Sequence, residues 1–507
     1  MKKCLPIMIQ GTCSDSGKSI LATAFCRIFS QDGYRTAPFK SQNMALNSYV
    51  TLDGKEIGRA QGIQAEAAGI AATTDMNPIL IKPTRDMESQ VILNGKPFQN
   101  MKASRYRSEF YSIGLSAIKE AYQRLTENYE RIVIEGAGSP AEINLNDREM
   151  VNMRVARLAN APVVLVADID RGGVFASLVG TLQLLDPIDR ERVIGVIINK
   201  FRGDLSLLQP GLDWFEEYTG KPVLGVVPFI PDLYIDAEDS LSLEKYTSKP
   251  NIGKKEIDIA VIRYPRISNF TDIDPFLIED DCHVRMVTKP EELGKPDLVI
   301  LPGSKNTIED LMYLRENGLE KQLFDLKAKK QSYFFGICGG YQMLGSAILD
   351  PFHVESPNEK CEGLKLLPIK TTLTKKKTTV FSTGEVKFSK KMIDVKGYEI
   401  HMGQSKRLDD TPSFIQLENH QDGCFDLKNK VIGTYFHGIF HNDEFRHEFL
   451  NLIRMEKGFE PLENRKSFKH ISEDSFNRLA TVVRKHVRID DIKRKMEEFQ
   501  ASPIDVS

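Results

Sequence analysis

Residues 334–344 read FFGICGGYQML. A short apolar run delivers Cys338 into a Gly-x-Cys-x-Gly turn that opens a helix. Such a turn lifts a nucleophile clear of the fold, and the N–H of the next residue, Gly339, is placed to meet a developing oxyanion. A cysteine beside glycines is more often a small buried hydrophobe than a reagent, so the reading rests on two companions. The apolar run YFHGIF at 435–440 presents His437, the base or positive neighbour that a thiol needs to ionise near neutral pH. Upstream, LVILPGSKNT at 298–307 breaks a strand at Pro302-Gly303-Ser304, where Gly303 can supply a second oxyanion donor. Cys338 and His437 are the candidate catalytic pair, and Gly303 with Gly339 the candidate oxyanion hole, for thiolate attack on a carbonyl carbon.

A second chemistry stands at the amino terminus, where CLPIMIQ leads into GTCSDSGKS at 11–19 and then into the helical run ILATAFCRIF. Strand, glycine loop and helix in that order make a phosphate cradle, because successive backbone N–H groups and the helix start converge on anionic oxygens. Gly11, Thr12, Ser16, Gly17, Lys18 and Ser19 are the expected contacts to ATP, with Lys18 on the terminal phosphates and Ser19 on magnesium. Five residues separate Gly11 from Gly17 where the common loop has four. The plain alternative is a helix cap; the flanking strand and helix favour the nucleotide. RIVIEGAGSP at 131–140 stops at Glu135, which sets a carboxylate at a strand end as the second expected magnesium ligand. Two further buried runs end at Asp168, Asp170 and Asn199, the place where parallel sheets collect ligands.

The elements that must position these groups alternate between apolar strands and helical stretches, which predicts an α/β fold of doubly wound, mainly parallel sheets. A unit over 1–235 is followed by a polar linker at 236–256, a second unit over 257–450 and a mixed-charge helical tail at 451–507, a packing appendage or partner helix. The lysine run at 375–377 reads as a solvated loop or hairpin tip. With 507 residues and a net charge of −2, the chain is long enough for about three domains and carries no general nucleic-acid footprint. Seven cysteines without a Cys-x-x-Cys pair fit a reducing compartment and no metal cluster. The first residues run straight into the phosphate-loop strand, with no room for a cleavable leader, and no apolar run approaches the roughly twenty residues of a membrane span. The expectation is a soluble cytoplasmic enzyme of small-molecule partners, with an oligomer possible.

Residues 256–450 resemble class I glutamine amidotransferase domains, which are flavodoxin-like and release ammonia from glutamine through a cysteinyl thioester. The usual glutamate two places after the histidine is here Ile439, so the group that orients His437 is missing or supplied elsewhere. The loop GTxxxxGKS resembles the dethiobiotin synthetase group of P-loop NTPase-like enzymes, which phosphorylate carboxylates, and Asn199-Lys200 resembles their base-reading position. FKSQNMALNSYVTLDGKEIGRAQGIQAEAAG at 39–69, MNPILIKP at 76–83 and GYEIHMGQS at 397–405 resemble the cobyric acid synthase family over nearly the entire chain. That resemblance implies amidation of the b, d, e and g carboxylates of adenosylcobyrinic acid a,c-diamide, with one ATP and one glutamine per amide. The a,c-diamide synthase, another polycarboxylate amidotransferase and a P-loop nucleotide switch are the rival readings. Lys40, Gln42, Asn43, Asn47, Gln61 and Gln64 either read the carboxyl and amide groups of the corrinoid substrate or form a polar face bonded to itself. His401 falls in a family segment, with its role open.

Overall fold

The computed structural model describes residues 4–85, 87–235 and 255–501, so the expected linker lies outside the described residues except for its last two. The first sheet is wholly parallel, in the order Val223–Pro228, Val193–Phe201, Val163–Asp168, Leu5–Gly11, Arg131–Glu135 and Thr36–Phe39. Ile7, Met8 and Ile9 are all fully buried although successive residues point to opposite faces. A sheet covered on both sides demands such unbroken apolar runs. One face packs around Phe39, Ile118 and Ile134; the other joins Phe25, Phe29 and Val166 to Leu479, Val483, Ile492 and Met496. Those last residues come from helices Phe468–His486 and Ile489–Ala501, so the two helices of the tail cover the nucleotide-loop sheet, while Arg465 before them ion-pairs with Glu279 and Asp281 of the second unit.

After Thr36–Phe39 the chain inserts a four-stranded sheet, Gln42–Met44, Ile79–Arg85, Glu88–Leu93 and Lys96–Lys102. The same insertion carries a small hairpin, Ser48–Val50 with Glu56–Gly58, and the helix Arg59–Ala67.

The second main sheet orders Cys282–Val287, Ile257–Ile262, Leu298–Leu301, Tyr333–Ile337 and Val431–Thr434 in parallel, with Cys424–Asp426 antiparallel at the edge. Its core includes Phe334, Phe335, Phe440 and Phe449, and helix Asp443–Glu456 carries that core past residue 450. A long hairpin, Ile369–Phe388 with Lys391–Arg407, folds back across it. The lysine run is not the hairpin tip, and although Lys375 and Lys376 are exposed, Lys377 is not. It lies inside this hairpin at a break in register between Leu373 and Thr378, and Lys377 is buried by an ion pair with Glu56 of the inserted segment. Among the described residues no helix is long and apolar enough to cross a membrane.

Candidate functional site: a thiol centre and a phosphate centre

The order of strands in the second sheet assembles the thiol centre. Tyr333–Ile337 lies between Leu298–Leu301 and Val431–Thr434, so the loops leaving the three strands meet at one edge. Cys338 stands at φ 53°, ψ −106°, between its strand and helix Gly339–Leu344. Strain of this kind in a residue other than glycine persists where the surroundings enforce it, commonly at reactive sites. Here Cys338 N donates to Thr434 O at 2.8 Å and Gly340 N to Pro302 O at 3.0 Å. The glycines are steric necessities, since a Cβ on Gly339 would stand 2.8 Å from Ser304 N and one on Gly303 would be 2.7 Å from Ser268 O. Asp310 anchors the loop by accepting from Ser304 Oγ at 2.5 Å, and burial pushes its carboxyl up to about 7.

His437 is fully buried, and its ring stacks on Tyr398 with 5.0 Å between centres. The missing orienter is Asp272. One carboxylate oxygen lies 2.7 Å from His437 Nδ1, and the other accepts from Gly438 N at 2.7 Å. Burial alone would push the imidazole down. The charge and hydrogen bond of Asp272, with further contributions from Cys338, outweigh it and raise His437 to about 10. Cys338 is near enough to act on the imidazole, although its thiol lies 3.5 Å from the Ile400 carbonyl and His437 Nε2 has no hydrogen-bond partner among the described residues; thiol, imidazole and carboxylate are together the groups that activate a thiolate and protonate a leaving amine. Asp272 belongs to the short helix Phe270–Ile278. Its only signal in the sequence is a pair of aspartates inside the apolar run NFTDIDPFLI, which a solvated turn would explain equally well.

In the first sheet, Gly17 at φ 99° caps helix Lys18–Gln31 and ends the phosphate loop. Lys18 Nζ reaches Cys13 O at 2.8 Å and Gly138 O at 3.2 Å, folding over the loop, while Ser16 Oγ is buried there with no hydrogen-bond partner among the described residues. Ser19 Oγ donates to Glu135 Oε1 at 2.8 Å, so the hydroxyl and carboxylate expected to share a cation converge. Asn199 Nδ2 donates to Ser16 O at 3.0 Å, and Lys200 bridges Asp15 O and Asp168 at 2.8 and 2.7 Å. A cavity of about 480 Å³ opens beside Gly17, Asn199 and Lys200 and is lined as well by Asp274 and Phe468. Asp274 lies two residues beyond Asp272, so one short helix reaches both centres.

Residues 7–243 match the CobQ/CobB/MinD/ParA nucleotide binding domain family, and residues 258–445 the CobB/CobQ-like glutamine amidotransferase domain family. A cobyric acid synthase of Geobacillus sp. (strain WCH70) is 64% identical over 500 residues, covering 99% of each chain. One from Anoxybacillus flavithermus (strain DSM 21510 / WK1) is 62% identical over 500 residues, again 99% of each. One from Thermoanaerobacter sp. (strain X514) is 48% identical over 510 residues, 98% of this chain and 99% of that one. The chain belongs to the cobyric acid synthase family. It is an enzyme, a glutamine amidotransferase of the ligase type with a nucleotide-binding domain.

In this member of the cobyric acid synthase family the amide-rich segment divides. Lys40 and Gln64 converge on Glu135, at 2.9 and 2.6 Å, and Asn43 donates to Gln61 at 3.0 Å. These four and Asn47 are buried. Gln42 instead lines an open basin of about 630 Å³ with Met44, Met87, Met101 and Tyr106. Gly138, whose carbonyl accepts from Lys18, forms part of the same wall, so the basin abuts the phosphate loop. His401 stacks on Tyr435 at 3.9 Å and bonds Gly403 O at 2.7 Å through Nδ1, apart from the Asp272–His437 pair.

Proposed function

We propose that this protein makes cobyric acid by amidating the b, d, e and g carboxylates of adenosylcobyrinic acid a,c-diamide, consuming one ATP and one glutamine per amide, in the cytoplasm. The observation that carries the reading is the joining, in one chain, of Cys338 with the His437–Asp272 pair and of a phosphate loop whose Lys18 bonds Gly138 in the wall of a large apolar basin. The amidoligase unit takes residues 1–235 and the glutaminase unit residues 257–450, followed by the 451–507 tail, whose helices Phe468–His486 and Ile489–Ala501 pack against the former.

Cys338 Sγ attacks the glutamine side-chain carbon while Gly303 and Gly339 N–H groups receive the oxyanion. His437 hands its proton to the departing nitrogen, so ammonia leaves and a thioester remains; water then releases glutamate. At the other centre a corrin carboxylate oxygen attacks the γ-phosphorus of ATP. The bond to the β-phosphate breaks, and ADP leaves an acyl phosphate. Lys18 and the loop N–H groups hold the charge that develops. Ammonia adds to the acyl carbon and phosphate departs, giving the amide.

Among the described residues no group of three or more His, Cys, Asp or Glu side chains could hold a metal. Ser19 and Glu135 would hold a magnesium ion, which would neutralise phosphate charge there. The corrin rests its apolar edge on the methionine wall, with one carboxylate turned towards Gly138. The test incubates pure protein with ATP, magnesium, glutamine and either the a,c-diamide or unmodified cobyrinic acid, following mass. Four successive replacements of hydroxyl by amino are expected; amidation of only unmodified cobyrinic acid, at its a and c positions, would reassign the enzyme.

A further inference from the structure

The methionine basin meets the phosphate loop at Gly138, which Lys18 bonds, and the cavity of about 480 Å³ meets it at Gly17. With the triphosphate on residues 11–19 and the corrin in the basin, the second cavity is left for the nucleoside end of ATP. Its size falls within the roughly 300–1,000 Å³ of small-molecule sites. Three parts of the chain wall it: Gly17, Asn199 and Lys200 come from the nucleotide-loop unit, Asp274 and Leu277 from the thiol unit, and Phe468 from the tail. Leu277 and Phe468 suit the faces of a base, while the buried Asp274 carboxylate is an acceptor for an exocyclic amine or a ribose hydroxyl.

Both walls from outside the nucleotide-loop unit continue into the His437–Asp272 pair. Asp274 and Leu277 stand with Asp272 on helix Phe270–Ile278. This is nine residues of 3₁₀ helix, where runs longer than about four are uncommon, and Pro275 within it has no N–H to give. Such a segment takes its place from what packs against it. Phe276 lies 4.5 Å, centre to centre, from Phe440, which belongs to the turn Ile439–His441 just after His437. His441 meets the ring of Phe468 edge-on at 5.0 Å, and Asp443 accepts from Phe468 N at 3.0 Å. Asp272 is thus two residues from one wall of the cavity, and His437 four residues from the ring that steadies another.

We propose that the nucleoside of ATP binds against Asp274, Leu277 and Phe468, and that its occupancy holds Asp272 in line with His437, so that bound nucleotide accelerates glutamine hydrolysis at Cys338. The inference rests on the reading of residues 11–19 as an ATP site. A ligand shifts such a pair only through contacts made in one arrangement of the helix and not in another; a base seated on Asp274 and Leu277 makes them. Ammonia is then released when the triphosphate that activates the carboxylate is in place.

The experiment measures glutamate released by the full chain at saturating glutamine, with magnesium and without corrin. The additions are no nucleotide, the β,γ-imido analogue of ATP, or inorganic tripolyphosphate, which fills the loop and leaves the cavity empty. The analogue should raise kcat about fivefold or more, and tripolyphosphate should leave it within about twofold of the nucleotide-free rate. In Asp274→Ala and Phe468→Ala, each saturated with the analogue as judged by a binding titration, the rise should shrink below about twofold. Thermal melts confirm folding, and if one variant is misfolded the other decides. An analogue that binds the wild type and leaves kcat flat would overturn the inference. Equal stimulation by tripolyphosphate would do the same, by tracing the signal to the loop, and so would an undiminished rise in the folded variants. A wild type that does not bind the analogue would instead sink the ATP reading, and the inference with it.

Discussion

The phosphate centre and the thiol centre are built in opposite ways. The first draws most of its groups from one unbroken run, residues 11–19, and meets an open basin at Gly138, which Lys18 bonds. The second takes single groups from 272, 303, 338 and 437 and is closed over by the other unit, with Val50 on Tyr398 and with Ser48 N donating to Asn269 at 2.8 Å. Asn269 caps the helix that holds Asp272. Each enclosure suits its cargo. A macrocycle needs an open basin, whereas ammonia is useful only while it is kept from water.

The contrast can be broken most sharply at Cys338. Cys338→Ala should lower glutamine-dependent amidation by more than about 10⁴-fold while ammonium-driven amidation survives; parallel loss of both in a folded variant would dissolve the division of labour. Asp272→Asn should cost glutamine hydrolysis about 10³-fold in kcat, again sparing ammonium, because the imidazole loses the carboxylate that holds its proton and orientation. An unchanged kcat would remove Asp272 from the series. Lys18→Ala should lower amidation about 10²-fold with either donor, and full activity in that variant would discard the phosphate loop.

Smaller effects sharpen the picture through stability. Leu479, fully buried against the nucleotide-loop sheet, should cost about 2–5 kcal/mol when cut to alanine, read as a lower denaturant midpoint. A neutral result would detach the tail from that core. The Asp272–His437 pair predicts a pH dependence of definite sign. His437 is raised from 6.5 to about 10 in the folded chain, so the stability linked to its proton is full below pH 6.5 and is lost as pH rises through about 10. The melting-temperature gap between wild type and Asp272→Asn should be widest near pH 6 and close towards pH 10. A gap that widens with pH would reverse the assignment of charge.

Much of this was legible in the chain, for reasons that differ by residue. The alternation of apolar strands and helices announces the sheets because burial on both faces leaves few other solutions. The turn at Cys338 and the loop at Gly17 are local shapes, and local shapes are written in adjacent residues. Asp272 was not legible, being 165 positions from His437 with no spacing rule to connect them. Lys377 was misread because a run of lysines ordinarily means water, and only its meeting with Glu56 makes burial tolerable. For Asn43, Asn47, Gln61 and Gln64 the sequence left two readings open, and their burial came only with the packing of the insertion between the two units.

By itself, then, the amino-acid order determined the elements, the two reactive turns and the family to which the chain belongs. The partner of His437, the seat of the C-terminal helices and the burial of the amide-rich segment were decided only by the tertiary structure. Backbone preferences act over a few residues, whereas ion pairing and desolvation depend on which surfaces meet once the chain has closed.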